Sequence, residues 1–194
     1  MEKELESIKS LKQRAENGDA DALCELGEYH LVGKAVRKCY KRALKCFEES
    51  ANKGYPKAFF WLGICYYEGK RVKKDLAKAV EYFSRASEMN CGIGTFHLGS
   101  CYEDGEGVEQ DYTKALELYK KAYEEGFVSA AFHVGYCYYV GQGTDVSFDI
   151  AEEWLKKAYE FGDENLKESS KEFLDEIEKE RIKEKAFEEL SREE

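Results

Sequence analysis

The sequence predicts an all-α fold, a right-handed α-solenoid of four 36-residue helix-turn-helix repeats with a helical cap at each end. Three observations lead to this prediction. A Leu-Gly or Val-Gly pair recurs every 36 residues, each copy carries two stretches with the apolar spacing of a helix, and the 194 residues contain one proline. Because proline interrupts helices, a chain that almost lacks it can be helical throughout.

The repeats keep their register without an insertion. Each glycine of the pair has a small residue five positions before it, a second glycine six after, an alanine sixteen after and a large apolar residue twenty after. We therefore predict four tandem copies over residues 19–162, with the residue before each glycine in the core. The copies are 19–54, 55–90, 91–126 and 127–162, and their pairs are Leu26-Gly27, Leu62-Gly63, Leu98-Gly99 and Val134-Gly135.

Each copy is predicted to form two amphipathic helices joined by a glycine-rich turn. Apolar residues at offsets −5, −1 and +3 from the glycine mark one face of the first helix, and Ala79 and Phe83 mark one face of a second helix. Asp75 and Asp111 stand where the N-cap of the second helix belongs. The stretch CYEDGEGVEQDYTKAL lacks the alternating acidic ligands of an EF-hand and the Gly-Lys-Ser/Thr of a P-loop, so we interpret it as a helix end, a turn and a cap.

The segments outside the four copies are predicted to be caps. Residues 1–18 follow the register of a second helix and are predicted to form an N-terminal capping helix. Residues 163–194 lose the Leu-Gly pair, and their spacing predicts one long, charged capping helix with a frayed end. The apolar positions of this helix exceed what one capping face needs. We therefore expect a monomer or a weak homodimer that forms through the C-terminal helix.

Composition excludes some classes of partner. The formal net charge of −10 argues against a broad basic surface, so we expect no nucleic acid partner and no membrane partner. The opening MEKELESIKS has no apolar segment of the kind found in signal peptides, and no apolar run is long enough to span a membrane. The seven cysteines are an odd number without a secretion signal, so we expect reduced thiols and a cytoplasmic protein.

The motifs resemble Sel-1-like repeats, the longer-looped relatives of tetratricopeptide repeats. The family pattern is a small residue, Leu-Gly, Tyr, Gly-x-Gly-Val, Asp and Lys-Ala, and the third copy, GTFHLGSCYEDGEGVEQDYTKALELYKKAYEEG, matches it almost completely. The first copy departs from the pattern at Ala35 and Cys39, and the fourth departs at Thr144 and Ser147. The resemblance implies a non-enzymatic adaptor that holds proteins together and uses no cofactor.

If the copies follow the tetratricopeptide geometry that they resemble, offsets −3, +1 and +4 from the glycine line a concave groove. The residues at +1 and +4 vary between copies, as is expected where a partner binds, whereas the aromatic residues at −3 more often pack than recognise. Such an aromatic and acidic groove would bind a protein or peptide with apolar anchors flanked by Lys or Arg. An ordinary half-exposed helix face is the alternative interpretation. The predicted partner-binding residues are Glu28, Leu31, Phe60, Ile64, Tyr67, Phe96, Glu103, Phe132, Tyr136 and Tyr139.

Two other functions stay open. An acidic solenoid of this size would also suit an immunity or inhibitor protein that blocks a basic toxin or enzyme, because opposite charge speeds capture. A β-lactam-type hydrolase is the less favoured alternative. Ser50 and Lys53 satisfy Ser-x-x-Lys, but Ser50 stands in a packing register, and no companion Ser-Asp-Asn or Lys-Thr-Gly occurs. We predict no catalytic residue.

A metal site is the last alternative. His97 and Cys101 form an i, i+4 pair, which His133 and Cys137 repeat in the fourth copy, and this spacing can present two ligands on one helix face. The second copy, however, has Trp61 at the position of the histidine. We therefore predict no metal, and we interpret the cysteines at this position as small buried packing residues.

Overall fold

The computed structural model describes the backbone of residues 2–192 and the side chains of residues 7–186, and this part of the chain contains ten α-helices and no strand. The all-α prediction is confirmed. In chain order the helices are α1 (Glu2–Glu16), α2 (Ala20–Val32), α3 (Tyr40–Asn52), α4 (Pro56–Glu68), α5 (Leu76–Glu88), α6 (Gly92–Asp104), α7 (Tyr112–Glu124), α8 (Ala130–Val140), α9 (Phe148–Phe161) and α10 (Glu164–Arg192).

The chain divides into two compact units, Met1–Gln110 and Asp111–Glu194. In the first unit, each of α1 to α5 packs on the next helix, and α4 also contacts α6 directly. In the second unit, α7 packs on α8, α8 on α9, and α9 on α10. Among the described residues no helix combines the length and the hydropathy needed to cross a membrane.

The glycine of the Leu-Gly pair lets the two helices of a copy approach closely. A Cβ atom at Gly63 would lie 2.4 Å from Cε1 of Phe83, the large apolar residue twenty positions later. A Cβ at Gly27 would lie 2.5 Å from Cε1 of Phe47 in the same way. Contacts this short would force the second helix away. The pair is therefore a packing motif in which a missing side chain makes room for an aromatic ring.

The residue before that glycine is buried in three of the four copies. Leu62, Leu98 and Val134 are core residues, as predicted. Leu26 is half-buried and packs on the cluster that Leu11 of α1 forms with its neighbours on α1 and α2. Leu26 thus lies at the edge of the core because its copy is the first.

The predicted N-caps are confirmed. Asp75 and Asp111 each accept a 3.0 Å hydrogen bond from the backbone N–H three residues later. Ser147, which replaces the aspartate in the fourth copy, accepts an equivalent bond at 3.4 Å. Cys39 has the same extended backbone as the other caps, with φ −155° and ψ 94°, but its side chain forms no capping bond. The start of α3 therefore lacks one interaction that the equivalent helices have.

The end helices pack along one face each. Ile8 and Leu11 of α1 are buried against α2, and Ile177 of α10 is buried against α9. Arg181 of α10 also donates to Glu152 and Asp149 of α9, at 2.6 and 2.5 Å. The predicted fraying concerned the last dozen residues. The helix runs to Arg192, while the side chains beyond 186 lie outside the described residues.

Candidate functional site

The predicted partner-binding residues lie on the first helices of the copies, α2, α4, α6 and α8. Ile64 and Tyr67 of α4 are half-buried, and so are Phe96 and Glu103 of α6. These four residues lie on two helices that contact each other in the first unit. Of these four, Ile64 and Tyr67 line the same cavity, whereas Phe96 and Glu103 lie outside its lining.

Two of the predicted residues belong to the core. Leu31 is 9% exposed and Phe60 is 3% exposed. The ring of Phe60 lies 4.9 Å from that of Trp61 and 5.1 Å from that of His97, measured between centroids. The prediction that Leu31 and Phe60 contact a partner is therefore corrected, because their surfaces are used in packing between helices.

Glu28 is engaged within the chain. Its carboxylate accepts a 2.8 Å hydrogen bond from the indole N–H of Trp61 and lies 2.6 Å from the ammonium group of Lys57. These contacts join α2 to α4 and balance the charge of the carboxylate. Sequence reasoning missed this role, since the partners lie about thirty positions along the chain.

A cavity of about 290 Å³ opens between α4 and α6. We call it the α4–α6 cavity. Its rim carries the Tyr67 hydroxyl, which donates a hydrogen bond to Glu106, and this bond raises the pKa of Tyr67 to about 12. Apolar and polar groups thus meet at one opening. The lining residues are Ile64, Tyr67, Glu68, Phe83, His97, Ser100, Cys101 and Glu106.

The wall of the α4–α6 cavity is uncharged at neutral pH. Burial lowers the pKa of His97, and burial raises the pKa of the Cys101 thiol to about 12. The imidazole therefore stays neutral and the sulfur stays protonated. Because the thiolate is the nucleophilic form of cysteine, this wall is built for packing rather than for attack on a substrate.

Negative charge collects at the end of α6, next to the cavity. Burial raises the pKa of Asp104, and the neighbouring carboxylates of Glu103 and Glu106 raise it further. Burial and like charge both disfavour the ionised form of a carboxyl group. Glu68, on the opposite rim, is paired with Lys70. The ammonium group of Lys74 lies 5.6 Å from the centroid of the Tyr67 ring. The acidic side of the opening is therefore the end of α6.

In the second unit, α10 covers the predicted residues of the fourth copy. The ring of Phe173 lies 5.6 Å from those of Phe132 and Tyr136, and 5.3 Å from that of Tyr139. The Tyr139 hydroxyl also donates to Glu176 at 3.1 Å. All three predicted residues are half-buried. The expectation that they line an open groove is corrected, because the chain's own C-terminal helix takes up this surface.

The sequence pairs considered for other chemistry have structural roles. Ser50 is fully buried, and its hydroxyl donates a 2.6 Å hydrogen bond to the carbonyl of Ala20. Cys65, Cys101 and Cys137 are buried, as predicted for packing residues. Among residues 7–186, no three His, Cys, Asp or Glu side chains come together as metal ligands would.

Comparison with protein families identifies the repeats. The model of the Sel1 repeat matches four times, over residues 20–55, 56–91, 93–127 and 128–163. These matches cover most of the chain, and the structure around them is entirely helical in the described part. Comparison with the curated proteins gave no match.

Solved structures of other proteins are similar to this chain. A protective antigen present in uropathogenic Escherichia coli strains, which displays an SLR fold, is 34% identical over 82% of this chain and 34% of its own, with a TM-score of 0.72. A Sel1 repeat protein from Oxalobacter formigenes is 27% identical over 81% of this chain and 62% of its own, with a TM-score of 0.75. This chain therefore spans about a third of the first protein and under two thirds of the second.

A third similar structure is the Helicobacter pylori cysteine rich protein B. It is 30% identical over 66% of this chain and 95% of its own, with a TM-score of 0.50. Together with the repeated family match, these likenesses confirm the predicted α-solenoid class.

Proposed function

The chain belongs to the Sel1 repeat family, and we propose that it is a non-enzymatic scaffold that binds a protein or peptide partner on the face formed by α4 and α6. Sel1 repeat proteins generally mediate protein–protein interactions. The observation that carries the proposal is the α4–α6 cavity, with its half-exposed apolar lining and its acidic rim. Such a combination offers both contact area and charge to a partner.

The chemistry of the cavity supports a binding role over a catalytic one. The Cys101 thiol and the His97 imidazole are neutral at pH 7 and lie in aromatic surroundings. Ser100 of the cavity lining donates its hydroxyl to the carbonyl of Phe96, and Ser50 of the Ser-x-x-Lys pair donates its hydroxyl to the carbonyl of Ala20. A scaffold needs none of these groups to be activated.

Blocking a basic toxin or enzyme is the second candidate function. The crowded carboxylates of Glu103, Asp104 and Glu106 would complement a basic active site as well as a basic segment. The two functions differ in their effect on the activity of the captured partner. An inhibitor abolishes the activity of its captured partner, whereas an adaptor leaves that activity intact, so an activity assay on the captured protein separates them.

Site-specific photo-crosslinking tests the proposed face. The photoreactive amino acid p-benzoylphenylalanine is placed at Glu103, at the end of α6 and outside the cavity lining, and at Glu81, an exposed control position on α5. Each variant is irradiated in native lysate, and the adducts are identified by mass spectrometry. We expect a discrete adduct from Glu103 that is missing from Glu81. The same adducts from both positions, or none from Glu103, contradict binding at this face.

A further inference from the structure

Resting on this proposed function, we propose that the α4–α6 cavity receives one Lys or Arg side chain of the partner. The aliphatic stem would lie against Ile64 and His97, and the cation would meet the carboxylates of Glu68 and Glu106. The cavity is then a specificity pocket within the binding face.

Two lining positions of the cavity differ between the second and third copies. Trp61 and His97 hold the same place in successive copies, and so do Ile64 and Ser100. The indole of Trp61 stacks on Phe47 at 5.6 Å, beside α3. At the equivalent place in the third copy a smaller imidazole lines the cavity together with a serine.

The lining suits an amphipathic cation better than other side chains. Lysine and arginine bury their methylene stems on apolar surface while their charged ends reach polar groups. An acidic side chain would meet Glu68 and Glu106 with the same sign of charge, which is unfavourable. A purely apolar side chain would remove water from these carboxylates without replacing its hydrogen bonds. The charge of the rim therefore favours a Lys or Arg side chain.

The existing pairings leave room for such a cation. Glu68 is paired with Lys70, and Glu106 accepts from a neutral donor, the Tyr67 hydroxyl. The nearby carboxyl of Asp104 is crowded by Glu103 and Glu106. A positive charge at this rim would be attracted by the carboxylates of Glu68 and Glu106. A guanidinium would add a bidentate contact to one carboxylate.

Peptide selection provides a defined probe. Random 12-residue peptides displayed on phage are selected on the immobilised wild-type protein, and the Kd of the leading synthetic peptide is measured by fluorescence anisotropy. We expect a Lys or Arg that recurs at one position among the selected peptides. Replacing that residue with norleucine, which keeps the stem and removes the charge, should weaken binding at least tenfold.

Variants of the protein then locate the site. His97→Trp and Ser100→Ile fill the cavity with side chains that the preceding copy already carries, and Glu68→Gln with Glu106→Gln removes the rim charge without changing shape. Each is expected to weaken peptide binding at least tenfold. The control pair Glu81→Gln with Glu88→Gln, on the exposed side of α5, should leave the Kd unchanged. If His97→Trp fails to fold, Ser100→Ile gives the same test.

The outcomes separate this inference from the proposed function. Selected peptides without a basic residue, or peptides whose Kd is the same for wild type and for Ser100→Ile, overturn the cavity as a cation pocket. If a partner still cross-links at Glu103 in that case, the scaffold function stands without the pocket. If no peptide is selected and no Glu103 adduct forms, both the pocket and the scaffold function are overturned.

Discussion

The interface that α4 forms with the first copy and the interface that α6 forms with the second copy have equivalent positions but different contacts. In the first, Trp61 stacks on Phe47 with ring planes 9° apart, and its N–H is bound to Glu28. In the second, His97 stacks on Phe83 at 24° and leaves a cavity beside it. The aromatic residue on the second helix thus keeps its register in both interfaces, while the residue that stacks on it varies between copies.

The largest expected effect is at a shared position. Leu62→Ala removes a buried side chain from the α4 core, so it is expected to lower the free energy of unfolding by about 2–5 kcal/mol. Ile64→Ala, at a half-buried varying position on the same helix, should cost markedly less. Urea denaturation measures both. Equal losses would mean that shared and varying positions do not differ in the way that the two interfaces suggest.

Exchanging the ring residues of the two interfaces is the next test. Trp61→His gives up the stacking on Phe47 and the bond to Glu28, and it should cost about 2–3 kcal/mol, somewhat below the cost of truncating a buried tryptophan. His97→Trp enters a cavity that is already present, so we expect a change within about 1 kcal/mol. A large loss for His97→Trp in the denaturant curve would show that the α4–α6 interface cannot accept an indole.

The turns of the same two copies offer a smaller contrast. Gly107 has φ 78°, and a Cβ there would lie 2.4 Å from the carbonyl oxygen of Leu76, whereas Arg71 holds φ 65° at the equivalent position with its side chain in place. Gly107→Ala is expected to cost about 1–3 kcal/mol from strain and from the contact. Arg71→Gly should gain less than about 1 kcal/mol, because relief of strain is offset by the added freedom of the unfolded chain. A thermal melt of each variant checks the opposite signs.

Much of the stack could be predicted from local sequence, while the site could not. The packing of Leu62 and Phe83 and the cap at Asp75 depend on neighbours in the same copy. Periodicity and capping rules therefore predict them. The pairing of Glu28 with Trp61 depends on contacts between copies, which no local pattern records. The α4–α6 cavity likewise depends on what His97 leaves empty, and a single sequence does not show empty space.

The packing of the C-terminal helix could not be predicted from local sequence either. Its apolar residues predicted a cap, but without a Leu-Gly pair there was no register from which to decide which face packs. Phe173 could therefore not be assigned to the aromatic residues of α8, and the covering of Tyr136 and Tyr139 was missed. Tertiary contact overrode the expectation that residues at varying offsets stay exposed.

A helix cap provides a further comparison between the first two copies. Asp75 caps α5, whereas Cys39 has nearly the same backbone angles at the start of α3 and makes no capping bond. Cys39→Asp should therefore raise stability by about 1 kcal/mol, and Asp75→Ala should lower it by a similar amount. Both shifts are measured in denaturant. No gain from Cys39→Asp would mean that water already satisfies the N–H groups in the first turn of α3.

The smallest expected effect is the pH dependence that His97 adds to the α4–α6 interface, which Trp61 cannot add to the α2–α4 interface. Burial lowers the pKa of His97 in the folded state, so below its ordinary value of about 6.5 the unfolded chain takes up a proton that the folded chain resists. Stability should therefore fall as pH drops through this value and level off below the lowered pKa.

His97→Trp removes this contribution, so its unfolding free energy should fall less than that of wild type between pH 7 and pH 5.5. Burial also lowers the pKa of His133, and the raised pKa of Asp104 acts with the opposite sign at lower pH. Both groups are present in wild type and variant, so the difference between the two pH profiles isolates His97. Parallel profiles would show that the imidazole of His97 is protonated as easily in the folded chain as in the unfolded one, and that water already reaches the cavity wall.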